Sequence, residues 1–182
     1  MRNSKRLVVG LVAALMALAA GVYVGLESRQ ERSPELSIAP DAIARLFATQ
    51  LNDSASRPQA FAQWRGKTLV INFWATWCPP CREEMPAFSR LQSKYAATGV
   101  QFVGIALDTA EQVTTFAQQY PVSYPLLIAD SAGAELTRQL GNAQMALPYT
   151  LLLDAGGEVR FTRLGRVSEQ ELERLLQKIS VR

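Results

Sequence analysis

The sequence predicts an α/β fold in which a mixed central sheet is flanked by helices. Two observations carry this. From Thr68 onward, apolar β-branched runs alternate with segments of helical periodicity, and the last two such runs flank a glycine turn before a closing helix. At 182 residues and 48% hydrophobic content, the chain suits a single domain with a single core.

Leu7 to Leu26 is an uncharged, mostly apolar stretch, about the 20 residues that cross a hydrocarbon core as a helix. It predicts a membrane anchor within residues 1–26. The alternative is a signal peptide cleaved after the small-x-small pattern Ala17-Leu18-Ala19, but the apolar run continues through Val22 to Leu26, longer than such a signal needs. Either way Arg2, Lys5 and Arg6 stay cytoplasmic and the rest is exported; with the run retained this predicts a single-pass protein of the inner membrane with its domain in the periplasm or extracytoplasmic space. No Cys near the end of the run offers a lipoprotein anchor. Residues 27–40 lack periodicity, contain two prolines and read as a solvated linker, leaving 41–182 as the folded domain. The formal charge of +3 comes from the N-terminal basic residues. Setting those three aside from the 19 Lys and Arg leaves 16, matching the 16 Asp and Glu, so no nucleic-acid surface is expected.

Within the domain, Leu46 to Leu51, then Asn52-Asp53-Ser54 and a short run near Gln59 to Phe61, read as a hairpin, although propensity alone also allows a capped helix over Asp41 to Leu51. Thr68 to Trp74 is a buried strand, and Met85, Phe88, Leu91 and Tyr95 then recur at helical spacing. Val100 to Leu107 is a second buried strand. The following helix carries Val113, Phe116, Ala117 and Tyr120 on one face and opens with Thr109 and Gln112 at capping-box spacing. Pro125 to Ala129 is a short strand, and Ser131 to Leu140 a helix stopped by Gly141. Tyr149 to Asp154 and Glu158 to Leu164 flank Ala155-Gly156-Gly157 as a hairpin. The last helix opens with Ser168 and Glu171, again at capping-box spacing, and lines up Leu172, Leu175, Leu176 and Ile179.

The chemistry concentrates at Trp74-Ala75-Thr76-Trp77-Cys78-Pro79-Pro80-Cys81-Arg82, which holds both cysteines of the chain where a strand hands over to a helix. Residues at i and i+3 in a first helical turn lie roughly 5 Å apart at Cα, within the range a disulfide tolerates. Pro79 and Pro80 are compatible with a first turn, whose amides have no intrahelical acceptor, and they stiffen the loop. Cys78 then sits at the positive end of the helix, which favours thiolate. Zinc normally takes four Cys or His ligands, and the chain has two Cys and no His, so no metal or other cofactor is expected. Haem attachment needs His after the second Cys, where Arg82 stands, and the absence of His removes a Cys/His hydrolase. A thiol peroxidase, which would typically have Thr or Ser at position 75 where this chain has Ala75, and a structural disulfide in a non-catalytic binding module remain as alternatives; a four-residue loop gains little from cross-linking.

Trp77-Cys78-Pro79-Pro80-Cys81 after a strand, with Glu84, Pro86 and Pro148, resembles the TlpA/ResA family of membrane-anchored, thioredoxin-like thiol-disulfide oxidoreductases over roughly residues 40 to 180. The resemblance implies a thioredoxin-like fold with an N-terminal β-hairpin and a central strand-helix insertion, and it favours the hairpin near Leu46. It implies that Cys78 and Cys81 exchange disulfides with client proteins carrying cysteine pairs, as in cytochrome c maturation or copper-site assembly. Electrons would come from a membrane thiol transporter. A disulfide-donating oxidase or isomerase of the same fold is the rival reading. Glu84, three residues after Cys81, corresponds to the family's active-site glutamate and is expected to exchange protons with the second thiol. Pro148 resembles the family's cis-proline facing the cysteines; a cis bond there leaves the backbone of Leu147 free to pair with an extended client. Trp77, Pro79, Leu147 and Pro148 are therefore the expected client-facing residues, with Trp74 in the core. Asn72 stands where thioredoxins proper carry a buried Asp, and Tyr149 replaces the usual Thr or Ser, which is expected to alter the groove.

Overall fold

In the computed structural model, residues 38–129 and 131–180 are described. The anchor at 1–26 and most of the linker lie outside them, and among the described residues no helix is long and apolar enough to cross a membrane. Helix α1 (Ala42–Ala48) leads into strands β1 (Gln50–Asp53) and β2 (Pro58–Ala60), and a 3-10 turn over Phe61–Trp64 precedes β3 (Thr68–Trp74). Helix α2 (Pro79–Tyr95), β4 (Val100–Ala106), α3 (Ala110–Gln119), β5 (Leu126–Ile128) and α4 (Ser131–Gln139) follow. Strands β6 (Tyr149–Leu153) and β7 (Val159–Leu164) and helix α5 (Glu169–Ser180) complete the fold.

The strands form one mixed sheet in the order β2-β1-β5-β4-β3-β6-β7. Central β3 runs parallel to β4, with Asn72 opposite Gly104, and antiparallel to β6, with Asn72 opposite Thr150. Every residue of β3 after Thr68 is buried, as expected of an apolar strand covered on both faces. Its side chains alternate between two core layers. Val70 and Trp74 join Met85, Phe88, Phe102, Phe116 and Leu172 under α2, α3 and α5. Leu69, Ile71 and Phe73 join Leu46, Ile105, Leu136 and Tyr149 under α1 and α4. Strand β5, which α4 follows, lies parallel to β4 and carries β1 antiparallel on its other edge. Trp64 packs edge-on against Phe61 in the second layer, with ring centroids 4.9 Å apart.

Two expectations need correction. The N-terminal hairpin exists, but its first strand starts at Gln50, because residues 42–48 are helical. Ala42, Leu46 and Phe47 are buried on one side of that helix, and Arg45 pairs with Asp41 one turn back at 2.9 Å, so helical spacing satisfies both faces. The second concerns the two capping boxes. That of Thr109 and Gln112 is complete, each side chain accepting from the other's backbone N–H at 3.3 Å. At α5, Ser168 Oγ accepts from the Glu171 N–H at 3.2 Å, but the Glu171 carboxylate is engaged by Arg163 of β7 instead. Gly141, at φ 101°, ends α4 as expected.

Gly104 is the tightest point of the sheet. A Cβ there would lie 2.7 Å from Leu126 Cδ2, 3.1 Å from Trp74 Nε1 and 3.3 Å from the Tyr124 ring. Gly104→Ala is therefore expected to cost about 1–3 kcal/mol of stability, read as a lower midpoint in urea unfolding with an unchanged slope.

Candidate active site

Strand β3 ends at Trp74, and the chain turns at once. The Cys78 N–H donates to Ala75 O at 3.2 Å, closing a turn over Ala75–Cys78. Cys78 is the N-cap of α2, with Pro79 and Pro80 in the first turn. Its Sγ accepts from the Cys81 N–H at 3.3 Å, so a sulfur occupies the place of a capping oxygen. Cys78 and Cys81 form a disulfide, with Cα atoms 5.3 Å apart. The two sulfurs differ in access, since Cys78 is 4% exposed and Cys81 fully buried. Beside them the Trp77 ring is 66% exposed, a large apolar surface next to the outer cysteine. Trp74, by contrast, is buried with its ring 5.0 Å from that of Phe116. Pro79 is exposed and lines an apolar groove between α2 and α3 with Pro86, Phe116, Tyr120 and Val122. Arg82 leans over that groove, 5.1 Å from the Tyr120 ring centroid, and donates to the Tyr120 hydroxyl at 3.2 Å.

The Leu147–Pro148 peptide is cis. The β3–β6 register places Tyr149 opposite Phe73, so Pro148 enters the sheet beside the end of β3, where the cysteine turn begins. Pro148 O accepts from the Gly165 N–H at 2.8 Å, which ties this corner to the loop after β7. Leu147 is half-buried and touches both core layers. Tyr149 does not face the groove as expected. Its ring is buried against Phe73, and its hydroxyl donates to Leu140 O at 2.6 Å, so the substitution feeds the core instead. Burial pushes its phenol up to about 12.

Glu84 lies one turn after Cys81 on α2 and is buried. Its Oε1 accepts from Asn72 Nδ2 at 2.8 Å and its Oε2 from the Val167 N–H at 3.0 Å. The same Asn72 amide group also donates to Thr150 Oγ1 at 3.2 Å, linking three elements. Burial raises the carboxyl to about 7; the bonds from Val167 and Asn72 and the charge of Arg166 pull the other way without cancelling it. Adjacent Glu83 is exposed and paired with Arg166 at 2.7 Å. The carboxyl thus titrates near neutrality, the range suited to moving a proton at pH 7.

Two contributors escaped the sequence. The Val167 N–H is backbone and leaves no mark in residue identity. Asp108 follows β4 and accepts from the Thr76 N–H at 3.0 Å and the Thr76 hydroxyl at 2.5 Å. Parallel pairing of β3 and β4 predicts that residues just past both strands meet at one edge, and that signal was available.

Residues 35–178 match the Redoxin family. The thioredoxin-like protein YneN of Bacillus subtilis is 37% identical over 116 residues, covering 62% of this chain and 65%, just under two thirds, of that protein. The thiol-disulfide oxidoreductase ResA of Geobacillus kaustophilus is 29% identical over 185 residues, covering 98% of this chain and 99% of its own. Among solved structures, a thioredoxin-related protein from Neisseria meningitidis is similar at TM-score 0.65 and 32% identity, over 74% of this chain and 100% of that one. A DsbE-type thiol:disulfide interchange protein from Chlorobium tepidum is similar at TM-score 0.65 and 26% identity, over 72% and 92%.

The raised Glu84 carboxyl has a consequence for stability. Between its ordinary value of 4.5 and about 7 the folded chain holds a proton that the unfolded chain has lost, so stability falls as pH rises through that window. The loss expected from this group is about 2–4 kcal/mol. Urea unfolding of oxidised protein from pH 4 to 8 should show wild type losing ground to Glu84→Gln across the window; parallel curves would contradict the assignment.

Proposed function

The chain belongs to the Redoxin family and is a thiol-disulfide oxidoreductase, and from that premise we propose that it reduces client disulfides with Cys78 as nucleophile and Cys81 as resolving thiol. The observation that carries this reading is the unequal setting of the two sulfurs: Cys78 caps the helix at the more accessible edge, and Cys81 lies fully buried behind it. The reduced Cys78 thiolate attacks one client sulfur. A mixed disulfide forms, and the other client sulfur leaves as a thiolate that takes a proton from water. Cys81 then gives up its proton and attacks Cys78 Sγ, which releases the second client thiol and regenerates the Cys78–Cys81 disulfide. Glu84, buried one turn on and titrating near 7, is the group suited to accept the Cys81 proton. Trp77, Pro79 and half-buried Leu147 form the client-facing edge, with the exposed Trp77 ring as the main apolar contact, and Pro148, itself buried, holds Leu147 beside the end of β3.

The tether belongs to the same reading. Residues 1–26 anchor the chain in the inner membrane, 27–40 act as a linker, and 41–182 work outside the cytoplasm. In an oxidising compartment the pair must be re-reduced, and a membrane thiol transporter is the natural donor, since a tether raises its effective concentration around the domain. Clients are cysteine pairs of the kind found in apo-cytochrome c or copper-site assembly proteins. The rival direction, a disulfide donor, draws support from the helix N-terminus, which stabilises the Cys78 thiolate and with it the reduced form.

Cys81→Ser is expected to accumulate mixed disulfides with clients, and Cys78→Ser to accumulate none. Equilibration with a glutathione series is expected to return a potential near −270 mV, roughly that of thioredoxin, whereas a value near about −120 mV would make the protein an oxidant.

A further inference from the structure

The nucleophile sits on a turn whose position nothing in the turn itself determines. The Ala75–Cys78 turn is closed by its own backbone bond, and that bond says nothing about how the turn is angled against the sheet. The angle is set from outside. Leu107 N–H donates to Trp74 O at 2.8 Å, the last bond between the ends of β3 and β4. One residue later, a single oxygen of Asp108, Oδ2, takes both the Thr76 N–H at 3.0 Å and the Thr76 hydroxyl at 2.5 Å. The other oxygen, Oδ1, accepts from the Thr109 N–H at 3.0 Å. Thr109 is the N-cap of α3 and carries the complete capping box, so the carboxylate is braced on a rigid helix start. Thr76 is the second residue of the turn, immediately before Trp77 and two before Cys78.

We propose that Asp108 is a positioning residue for thiol exchange: by clamping Thr76 against the start of α3 it aims Trp77 at the client and holds Cys78 Sγ in its helix-capping place. The inference rests on the reading of Cys78 as the nucleophile. Two features favour a functional over a merely structural clamp. Charge-assisted bonds that one carboxylate accepts from a backbone N–H and a hydroxyl are the stronger kind, and here they hold the part-buried turn that carries Cys78 and the exposed Trp77 instead of a core element. The site is also where precision counts, because a misplacement on the order of 1 Å at a reacting atom costs up to about a hundredfold in rate. The charged and titratable groups around the turn are Cys81, Arg82 and Glu84 on α2, Asp108 after β4, and Glu111 and Tyr120 at the two ends of α3, with Arg82 held by the Tyr120 hydroxyl.

The anchor and the charge of Asp108 act on Cys78 in opposite directions, and two variants separate them. Asp108→Asn, with its amide oxygen in the Oδ2 place, still accepts from both the Thr76 N–H and the Thr76 hydroxyl, but it loses the charge and the bond from the Thr109 N–H; Asp108→Ala loses the anchor and the charge together. With the full chain, reduced, and a synthetic peptide closed by a Cys-X-X-Cys disulfide as the probe, Asp108→Ala is expected to react about tenfold slower than wild type, and Asp108→Asn to stay within about threefold. Iodoacetamide alkylation of Cys78 across pH is expected to titrate higher in Asp108→Ala than in Asp108→Asn, because a loosened turn takes Sγ away from the helix N-terminus. A clamp that served only folding would lower the melting temperature and leave the alkylation curves of the two variants coincident, both shifted only by the lost charge. The two variants behaving alike in rate and titration would overturn the proposal. Should Asp108→Ala not fold, Thr76→Val decides: it keeps Asp108 and the backbone bond, is expected to slow peptide reduction about threefold, and at wild-type rate would refute the clamp. A wild-type chain that cannot reduce the peptide would count against the functional reading alone, because the alkylation curves test the position of Sγ without any client.

Discussion

Strand β3 cannot move. Six of its seven residues are buried, it is covered on both faces, and it is paired along both edges, in parallel with β4 and antiparallel with β6. Shifting its register by one residue would exchange the two core layers, placing Ile71 and Phe73 under α2 and Val70 and Trp74 under α1. Everything reactive in the chain is attached to its C-terminal end. The Ala75–Cys78 turn leaves from Trp74, and α2 starts at the next residue. Pro148 arrives beside that point through the β6 register, and Asp108 through the β4 register. Cysteines, cis-proline and turn clamp are each contributed by a different strand end, and the hydrogen-bond ladder of β3 brings them together.

The same strand carries a buried polar side chain, Asn72, in an otherwise apolar core. Asn72 is buried opposite Gly104 and Thr150, and it faces α2, where it donates to Glu84. A buried carboxylate without partners would be expensive, and two elements supply partners here: β3 through Asn72, and the loop after β7 through the Val167 N–H and the Arg166 charge. An Asp at position 72 would set a second carboxylate about 3 Å from the first, and like charges that close cannot both ionise. The amide avoids this by donating, and it leaves one titrating carboxyl a turn after Cys81 instead of a coupled pair. Asn72 and Glu84 are thus one device: the amide at 72 lets the carboxylate at 84 titrate alone.

Much of this was legible from residue order. Periodicity located β3 and the helices, because apolar runs and helical spacing reflect the same burial that the folded chain satisfies. The Cys78–Cys81 spacing, the helix start at Pro79 and the cis-proline could be read because each has a residue identity attached. Three things could not. The helix at 42–48 is ambiguous in sequence because apolar residues over so short a run fit a strand as well as a helix, and the burial of Ala42, Leu46 and Phe47 against the second core layer that decides for the helix comes from the rest of the fold. Glu171 has the spacing of a capping partner, but Arg163, eight residues away in sequence, competes for its carboxylate. Val167 acts through a backbone N–H that any residue but proline would supply.

Charge near the cysteines shows why composition alone misjudges redox direction. In sequence, Arg82, Glu83 and Glu84 follow Cys81 as three charges in a row. In the fold they part company. Arg82 turns outward onto Tyr120, Glu83 is neutralised at the surface by Arg166, and Glu84 turns inward and loses most of its acidity. Exposed pairs contribute little and are screened, so neither Arg82 nor Glu83 weighs heavily on the Cys78 thiolate. What remains is the helix N-terminus, which favours the thiolate, set against Asp108 in the adjoining turn and whatever fraction of Glu84 is ionised, which oppose it. Because that fraction changes near neutrality, the negative charge set against the dipole changes with pH there. Burial of Glu84 therefore brings a charge that varies with the proton supply to the helix that begins at the cysteines.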